Sequence, residues 1–121
     1  MKTALITGGS GHVGANLVRE LTKQDFKVRC IDFDGDHRAF EGHSVELIRG
    51  NITDIESMDV AFKNVDVVFH TAALISLVRK DRDIIRSVNV LGTKNVCELS
   101  LRHGVKTVSY THLTLPTSCC V

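Results

Sequence analysis

Short runs of apolar residues alternate along the chain with longer stretches in which apolar residues recur every three or four positions. The short runs predict β-strands, and the longer stretches predict helices. The predicted strands are TALIT at 3–7, VRCID at 28–32, VELIR at 45–49, DVVFH at 66–70 and VKTVS at 105–109. Because helical stretches separate most of these runs, the pattern favours parallel strands whose crossovers cover the sheet.

The helices are predicted at 12–23, 55–62 and about 81–103, and the link between the second and third strands is expected to be a loop or short crossover. Gly104 directly follows the third helix and is suited to cap its C terminus. Gly92 lies inside that helix, where glycine costs about 1 kcal/mol relative to alanine, which indicates close packing against the sheet or a partner subunit. The expected fold class is α/β, with a doubly wound parallel sheet of the Rossmann type, truncated after about five strands.

A glycine-rich segment, TGGSGHVG, joins the first strand to the first helix. Such a turn needs glycine where φ is positive, where the backbone approaches a pyrophosphate and where helix and sheet touch. The segment matches GxGxxG starting at Gly9 and TGxxGxxG starting at Thr7, and the free N–H groups of the helix N terminus would face the phosphates. A glycine-rich turn without a ligand is the alternative. The predicted dinucleotide-binding residues here are Thr7, Gly8, Gly9, Gly11, His12, Val13 and Gly14.

An acidic residue, Asp32, closes the second predicted strand. In this type of unit the end of that strand lies beside the adenine ribose, where a carboxylate accepts hydrogen bonds from the hydroxyls. A 2′-phosphate would meet like charge there, so we expect NAD, with NADP disfavoured and Arg38 as the one feature in its favour. The same segment fails as a calcium loop, because His37 and His43 occupy its sixth and twelfth positions, and no metal site is predicted.

Length and charge restrict the class of function further. The chain has 121 residues, of which 43% are hydrophobic and 24% charged, and its formal net charge is +1. This size allows one domain at most, and a nearly neutral chain has no field that would attract nucleic acid or an anionic membrane. No apolar stretch approaches the roughly 18 residues that span a bilayer, and no signal-peptide cleavage pattern is seen. We expect a cytoplasmic protein whose partners are small molecules.

Three later segments carry a family resemblance: VELIRGNITD at 45–54, DVVFHTAA at 66–73 and SVNVLGTKNV at 87–96. Together with the glycine segment and the acid, they make residues 1 to about 107 resemble the extended short-chain dehydrogenase/reductases, the NAD-dependent epimerase/dehydratase family. The similarity is nearest to dihydroflavonol-reductase-like and 3β-hydroxysteroid-dehydrogenase-like members. The resemblance implies an NAD(P)-dependent oxidoreductase or epimerase that acts on a hydroxyl or carbonyl of a small molecule, often as a homodimer.

The resemblance also implies roles for particular residues. Asn51 and Ile52 would form the edge of the adenine pocket. The cofactor would be lined at the fourth strand by Thr71, Ala72 and Ala73. Asn89, in the third helix, would help hold the nicotinamide half. Asn51 departs from the family's usual aspartate, which weakens the expected contact with the adenine amino group, although an amide oxygen still accepts hydrogen bonds.

The last residues of the chain depart from this family. The chemistry of the family uses a tyrosine and a lysine in YxxxK spacing. The one tyrosine of this chain is Tyr110, and the residue four positions later is Thr114 rather than lysine. Back-translated in one frame, VSYTHLTLPT is similar to a transposase-type sequencing adaptor, so residues 108–121 are expected to be a non-native tail. We therefore expect an NAD(P)-binding domain at 1–107 that is inactive alone. A non-catalytic NAD(P)-binding or redox-sensing module is the alternative.

Overall fold

The structure, a computed structural model, describes residues 1–8, 12–32, 45–71, 82–110 and 113–116, and at the ends of some elements the backbone alone is described. The strands are β1 (Thr3–Thr7), β2 (Lys27–Asp32), β3 (Val45–Arg49), β4 (Val67–His70), β5 (Thr107–Tyr110) and β6 (Leu113–Pro116). The helices are α1 (His12–Lys23), α2 (Ile55–Met58) and α3 (Arg82–Arg102), and a 3₁₀ turn at Asp59–Phe62 follows α2.

The strands form one sheet in the order β3-β2-β1-β4-β5-β6. The pairs from β3 to β5 are all parallel, whereas β6 runs antiparallel to β5. Thr7 of β1 lies opposite Ile31 of β2 and His70 of β4, so the three central strands end at the same level. The order changes direction between β1 and β4, which confirms the predicted doubly wound α/β sheet.

The two faces of the sheet are covered by different helices, because successive residues of a strand point to opposite sides. Leu5 points to the face covered by α2, the 3₁₀ turn and α3, where the largest buried side chain is Phe62. Ala4 and Ile6 point to the other face, where they pack with Val18 of α1. This apolar layer on each side is what a parallel sheet requires.

The second helix differs from its prediction. The periodicity predicts one helix over 55–62, but the α-helix ends at Met58 and a 3₁₀ turn continues to Phe62. Arg29 of β2 explains where this segment stops, since its guanidinium donates hydrogen bonds to the carbonyl oxygens of Ala61 at 2.7 Å and Lys63 at 2.8 Å. The end of this helical segment is therefore set by a contact with Arg29, which is distant in sequence and which the local pattern of apolar residues cannot reveal.

The sixth strand is a further difference, since the sequence pattern predicts no strand after residue 109. Leu113–Pro116 nevertheless pairs with β5, with Val108 opposite Leu115. The segment LTLP alternates apolar and polar residues, which is typical of a strand with one covered face. Its pairing also supplies partners to the backbone groups along the outer edge of β5.

Gly104 has the role that the sequence predicts, and it offers a test of the helix cap. Its φ is +70°, the next N–H, of Val105, donates to Ser100 O at 2.9 Å, and a Cβ at Gly104 would meet nothing within 4 Å. Any cost of substitution must therefore come from the left-handed backbone conformation. We predict that Gly104→Ala lowers the free energy of unfolding by about 1 kcal/mol, measured by urea titration.

Gly104→Asn should lose less, because asparagine tolerates this backbone conformation better than alanine does. Lys106→Ala, at an exposed position two residues later, serves as the control. Equal stability of Gly104→Ala and Lys106→Ala would contradict the cap.

Candidate functional site

The carboxyl ends of the parallel strands are joined into one rim by hydrogen bonds that continue beyond the strands. The N–H of Gly8, after β1, donates to Ile31 O of β2 at 3.0 Å, and the N–H of Gly50, after β3, donates to Asp32 O at 3.2 Å. In open α/β sheets ligands bind outside the carboxyl ends of the strands, where the strand order reverses. The candidate site therefore lies on this rim, centred between β1 and β4.

The turn after β1 begins with a glycine in the left-handed conformation. Gly8 has a φ of +72°, so the chain leaves β1 in a conformation that favours glycine. Helix α1 then begins at His12, and Gly14 is buried in its first turn. The backbone N–H groups of His12 and Val13 belong to the first turn, where a helix has no internal acceptors for them. This end of α1 can receive the phosphates of an anionic ligand.

The second side of the rim is acidic. Asp32 is half-buried at the end of β2. Burial, and secondarily the charge of Asp32, raise the pKa of the Cys30 thiol to about 12, so Cys30 is an inert core residue rather than a nucleophile. Asp32 adjoins the start of the glycine turn, because the N–H of Gly8 donates to the carbonyl of Ile31, the residue before Asp32.

Asn51 lies in the turn that follows β3, and its side-chain oxygen is already engaged. Asn51 Oδ1 accepts hydrogen bonds from Thr53 N–H at 3.0 Å and from the Thr53 hydroxyl at 2.8 Å. The atom that faces a backbone N–H must be an acceptor, so these contacts fix the orientation of the amide. The same oxygen that is predicted to receive an adenine amino group therefore also stabilises the turn.

A buried histidine connects β1, β4 and α3 beneath the rim. His70 Nδ1 lies 2.6 Å from Thr7 Oγ1, and His70 Nε2 lies 3.2 Å from Thr93 Oγ1 of α3. Thr71 completes the group, since its N–H donates to Thr7 O at 3.2 Å. Thr7 and His70 are 0% and 6% exposed, so these hydrogen bonds form away from water. The end of β1 is therefore fixed from both β4 and α3.

The histidine is neutral in the folded protein. Burial lowers the pKa of His70 from 6.5 to about 4. A neutral imidazole donates from one nitrogen and accepts at the other, which suits a ring held between two hydroxyl groups. A protonated ring would present two donors and would lose solvation, so its charge is disfavoured here.

Asn89, predicted for the nicotinamide half, lies on α3 and is half-buried. It precedes Thr93 by one helical turn, so it lies on the same side of α3 as the contact to His70. The structure thus brings Asn89 and Thr71 toward the β4 side of the rim, and Asp32 and Asn51 toward the β2 and β3 side. The remaining predicted residues lie outside the described residues: Gly9, Gly11, Ala72 and Ala73.

Three polar residues of the site are absent from the sequence-based prediction: His70, Thr93 and Asn95. Each belongs to a motif that carries the resemblance, and His70 is a polar residue that ends an apolar run. That irregularity is the signal that indicates His70. Neither the motif nor the run reveals that His70 and Thr93 contact each other, since 23 residues separate them.

Among the described residues, no group of three or more His, Cys, Asp or Glu side chains is arranged to hold a metal ion, and 33–44, with His37 and His43, lies outside them. Within the described part of the chain, no helix is long and apolar enough to cross a membrane.

Comparison with known proteins gives a family match. The profile of the 3-beta hydroxysteroid dehydrogenase/isomerase family matches residues 5–114. The chain is 40% identical to sterol demethylase protein B of Methylococcus capsulatus over 110 residues, which cover 90% of this chain and 34% of that protein. The chain thus spans about a third of the length of this curated relative.

Solved structures agree with the fold. A short-chain dehydrogenase/reductase superfamily protein from Agrobacterium tumefaciens, with bound NAD, is 30% identical with a TM-score of 0.75, covering 89% of this chain and 31% of that one. The UDP-glucose 4-epimerase of Thermus thermophilus in complex with NAD is 28% identical with a TM-score of 0.78, covering 88% and 36%. Both support the Rossmann-type sheet described above.

The buried His70 makes stability depend on pH in a defined direction. Between its pKa of about 4 in the folded chain and 6.5 in the unfolded chain, the unfolded chain binds a proton that the folded chain does not. We predict that stability is lost as the pH falls from about 6.5 to about 4, at up to about 1.4 kcal/mol per pH unit from this group. Urea unfolding at a series of pH values measures this loss.

His70→Gln is the matched variant, because glutamine also has one donor group and one acceptor but does not titrate. The difference in unfolding free energy between the wild type and His70→Gln cancels the contribution of other titrating groups. One such group is Asp59, whose pKa is lowered by its hydrogen bond to His103. If the free energy of unfolding decreased equally with falling pH in both proteins, His70 would not be buried as a neutral ring.

Proposed function

The chain belongs to the 3-beta hydroxysteroid dehydrogenase/isomerase family, and we propose that it binds NAD as the dinucleotide-binding part of an oxidoreductase or epimerase. The observation that carries this proposal is the glycine turn at the end of β1. Its left-handed residue, Gly8, is joined to β2 on one side and leads to the N terminus of α1 on the other. This geometry suits a pyrophosphate without any lysine.

The proposed orientation of the cofactor follows from the rim. The pyrophosphate would meet the N-terminal turn of α1, and the adenine ribose would lie toward Asp32 at the end of β2. The nicotinamide half would then extend toward β4, where Thr71 and Asn89 lie. Bound NAD supplies hydride transfer, and the residues of this chain bind and orient it. The NAD-bound structures of related fold support this choice of cofactor.

The activity of the whole protein is the wider part of the proposal. We infer that it oxidises or reduces a hydroxyl or carbonyl group of a small molecule, or epimerises one, as a homodimer. The proton-transfer pair, a tyrosine and a lysine in YxxxK spacing, is expected beyond residue 107, and the chain alone is expected to bind NAD without turnover. A non-catalytic NAD-binding or redox-sensing module is the second candidate, and NAD binding without turnover by the complete protein would favour it.

We further propose that residues 1–107 form the NAD-binding domain and that 108–121 are a non-native tail. The similarity of VSYTHLTLPT to an adaptor frame supports this division, although Leu113–Pro116 pairs with β5. Sequencing the source DNA across codon 107 tests it. We predict that the native frame departs from this chain there and continues into a YxxxK motif. A genomic sequence that encodes the tail would contradict the division and favour the non-catalytic module.

Asp32 provides the direct test of the cofactor. Titration calorimetry should show that the chain binds NAD more tightly than NADP, because the carboxylate accepts ribose hydroxyls and repels a 2′-phosphate. We predict that Asp32→Asn weakens NAD binding about tenfold, since a hydrogen bond to a charged group is worth about 1.5–3 kcal/mol. NADP binding should weaken less or improve.

Glu20→Gln is the control, because it removes one negative charge, as Asp32→Asn does. Glu20 lies on α1 and pairs with the exposed Lys23 on the surface, so its substitution changes the net charge by the same amount without touching the rim. An equal effect of both substitutions on NAD affinity would mean that Asp32 acts through net charge alone. No NAD binding by the wild-type chain would overturn the proposed function.

A further inference from the structure

Helix α3 makes an unusually close approach to the turn that follows β3. A Cβ built on Gly92 would lie 2.5 Å from Ile52 Cδ1 and 2.9 Å from Ile52 Cγ1, distances that real side chains essentially never show. Any larger residue at position 92 would require the Ile52 side chain to shift. The close packing that Gly92 predicts is therefore made within the chain, against the turn after β3.

A hydrogen bond reinforces the same contact. Asn95 Nδ2 donates to Ile52 O at 2.9 Å, and Asn95 is only 7% exposed. Gly92 and Asn95 are three residues apart, so they share one face of α3. The helix thus holds both the side chain and the backbone of Ile52.

The turn is also fixed at its other residues. The N–H of Asp54 donates to Asn51 O at 2.9 Å, and Thr53 donates twice to Asn51 Oδ1. At its start, Gly50 N–H binds Asp32 O of β2. The turn 50–54 is therefore hydrogen-bonded to β2 at Gly50 and to α3 at Ile52.

We infer that Gly92 and Asn95 are positioning residues for a nucleotide base that binds against the turn 50–54. This inference rests on the proposed function. With the pyrophosphate at the end of β1 and the ribose at Asp32 of β2, the base continues in the same direction to the end of β3, the next strand in the sheet. Neither Gly92 nor Asn95 touches the base; they act through Ile52.

Gly92→Ala is the principal test. The added methyl must push Ile52 away, and a binding surface displaced by more than about 0.5 Å loses its ligand geometry. NAD affinity, measured by titration calorimetry on the 121-residue chain, is expected to fall about tenfold. The melting temperature should change little, because the higher helix propensity of alanine offsets part of the packing that the displaced Ile52 loses. Val90→Ala on the exposed side of α3 is the control, with unchanged affinity expected.

A double-mutant cycle with Ile52→Ala separates positioning from general damage. Ile52→Ala removes the two atoms that the new methyl would meet most closely. Gly92→Ala should therefore weaken NAD binding much less when it is combined with Ile52→Ala than when it is made in the wild type. Equal losses in the two backgrounds would overturn the inference.

Asn95→Ala keeps the test decisive if Gly92→Ala does not fold, because it removes the hydrogen bond to Ile52 O without inserting an atom. It is expected to weaken NAD binding several-fold and to speed amide hydrogen exchange at Ile52 and Thr53. If the wild-type chain binds NAD and Asn95→Ala changes neither quantity, α3 does not position the base, while the proposed function stands. If the wild-type chain does not bind NAD, both are overturned.

Discussion

Strand β1 is enclosed on every side, and this burial constrains the rest of the rim. Four of its residues, from Ala4 to Thr7, are 0% exposed, and both neighbouring strands are parallel to it. A strand buried between two parallel neighbours is expected to be apolar along its length. Its last residue must nevertheless lead into a polar turn at the surface of the sheet's edge. Thr7 meets both demands, because its hydroxyl and carbonyl are bound by His70 and Thr71. The glycine turn that follows Thr7 consequently starts from a fixed point.

The strand pattern and the glycine spacing were enough to predict the parallel sheet, because buried parallel strands are apolar runs and the turn glycines have a backbone requirement of their own. The proposed role of Asp32 was predicted from its position at the end of β2. The 3₁₀ turn after α2 was not predictable, since it depends on Arg29, which lies 32 residues from Ala61. The role of Asn95 was also hidden, because a polar residue within a helix looks the same whether it faces water or a backbone carbonyl.

Asn51 has a structural role in addition to the ligand contact predicted for it. Compared with the family's usual aspartate, an asparagine suggests a weaker ligand for adenine. In the structure its side-chain oxygen accepts two hydrogen bonds from Thr53, so the residue also shapes the turn. An aspartate here could make the same two contacts, but it would add a charge near Asp32. The amide keeps the turn and leaves Asp32 as the carboxylate of the rim.

The two sides of the candidate site come from distant parts of the chain. Thr7 and His70 are 63 residues apart, and the pairing of β1 with β4 closes a loop of that length. Such a contact is slow to form, because the entropy of closing the loop is lost before the contact stabilises it. A ligand that spans β1 and β4 binds the folded state alone and shifts the folding equilibrium toward it. Bound as proposed, NAD would thus act on this chain as a folding ligand, and its concentration would set the folded fraction as well as the occupied fraction.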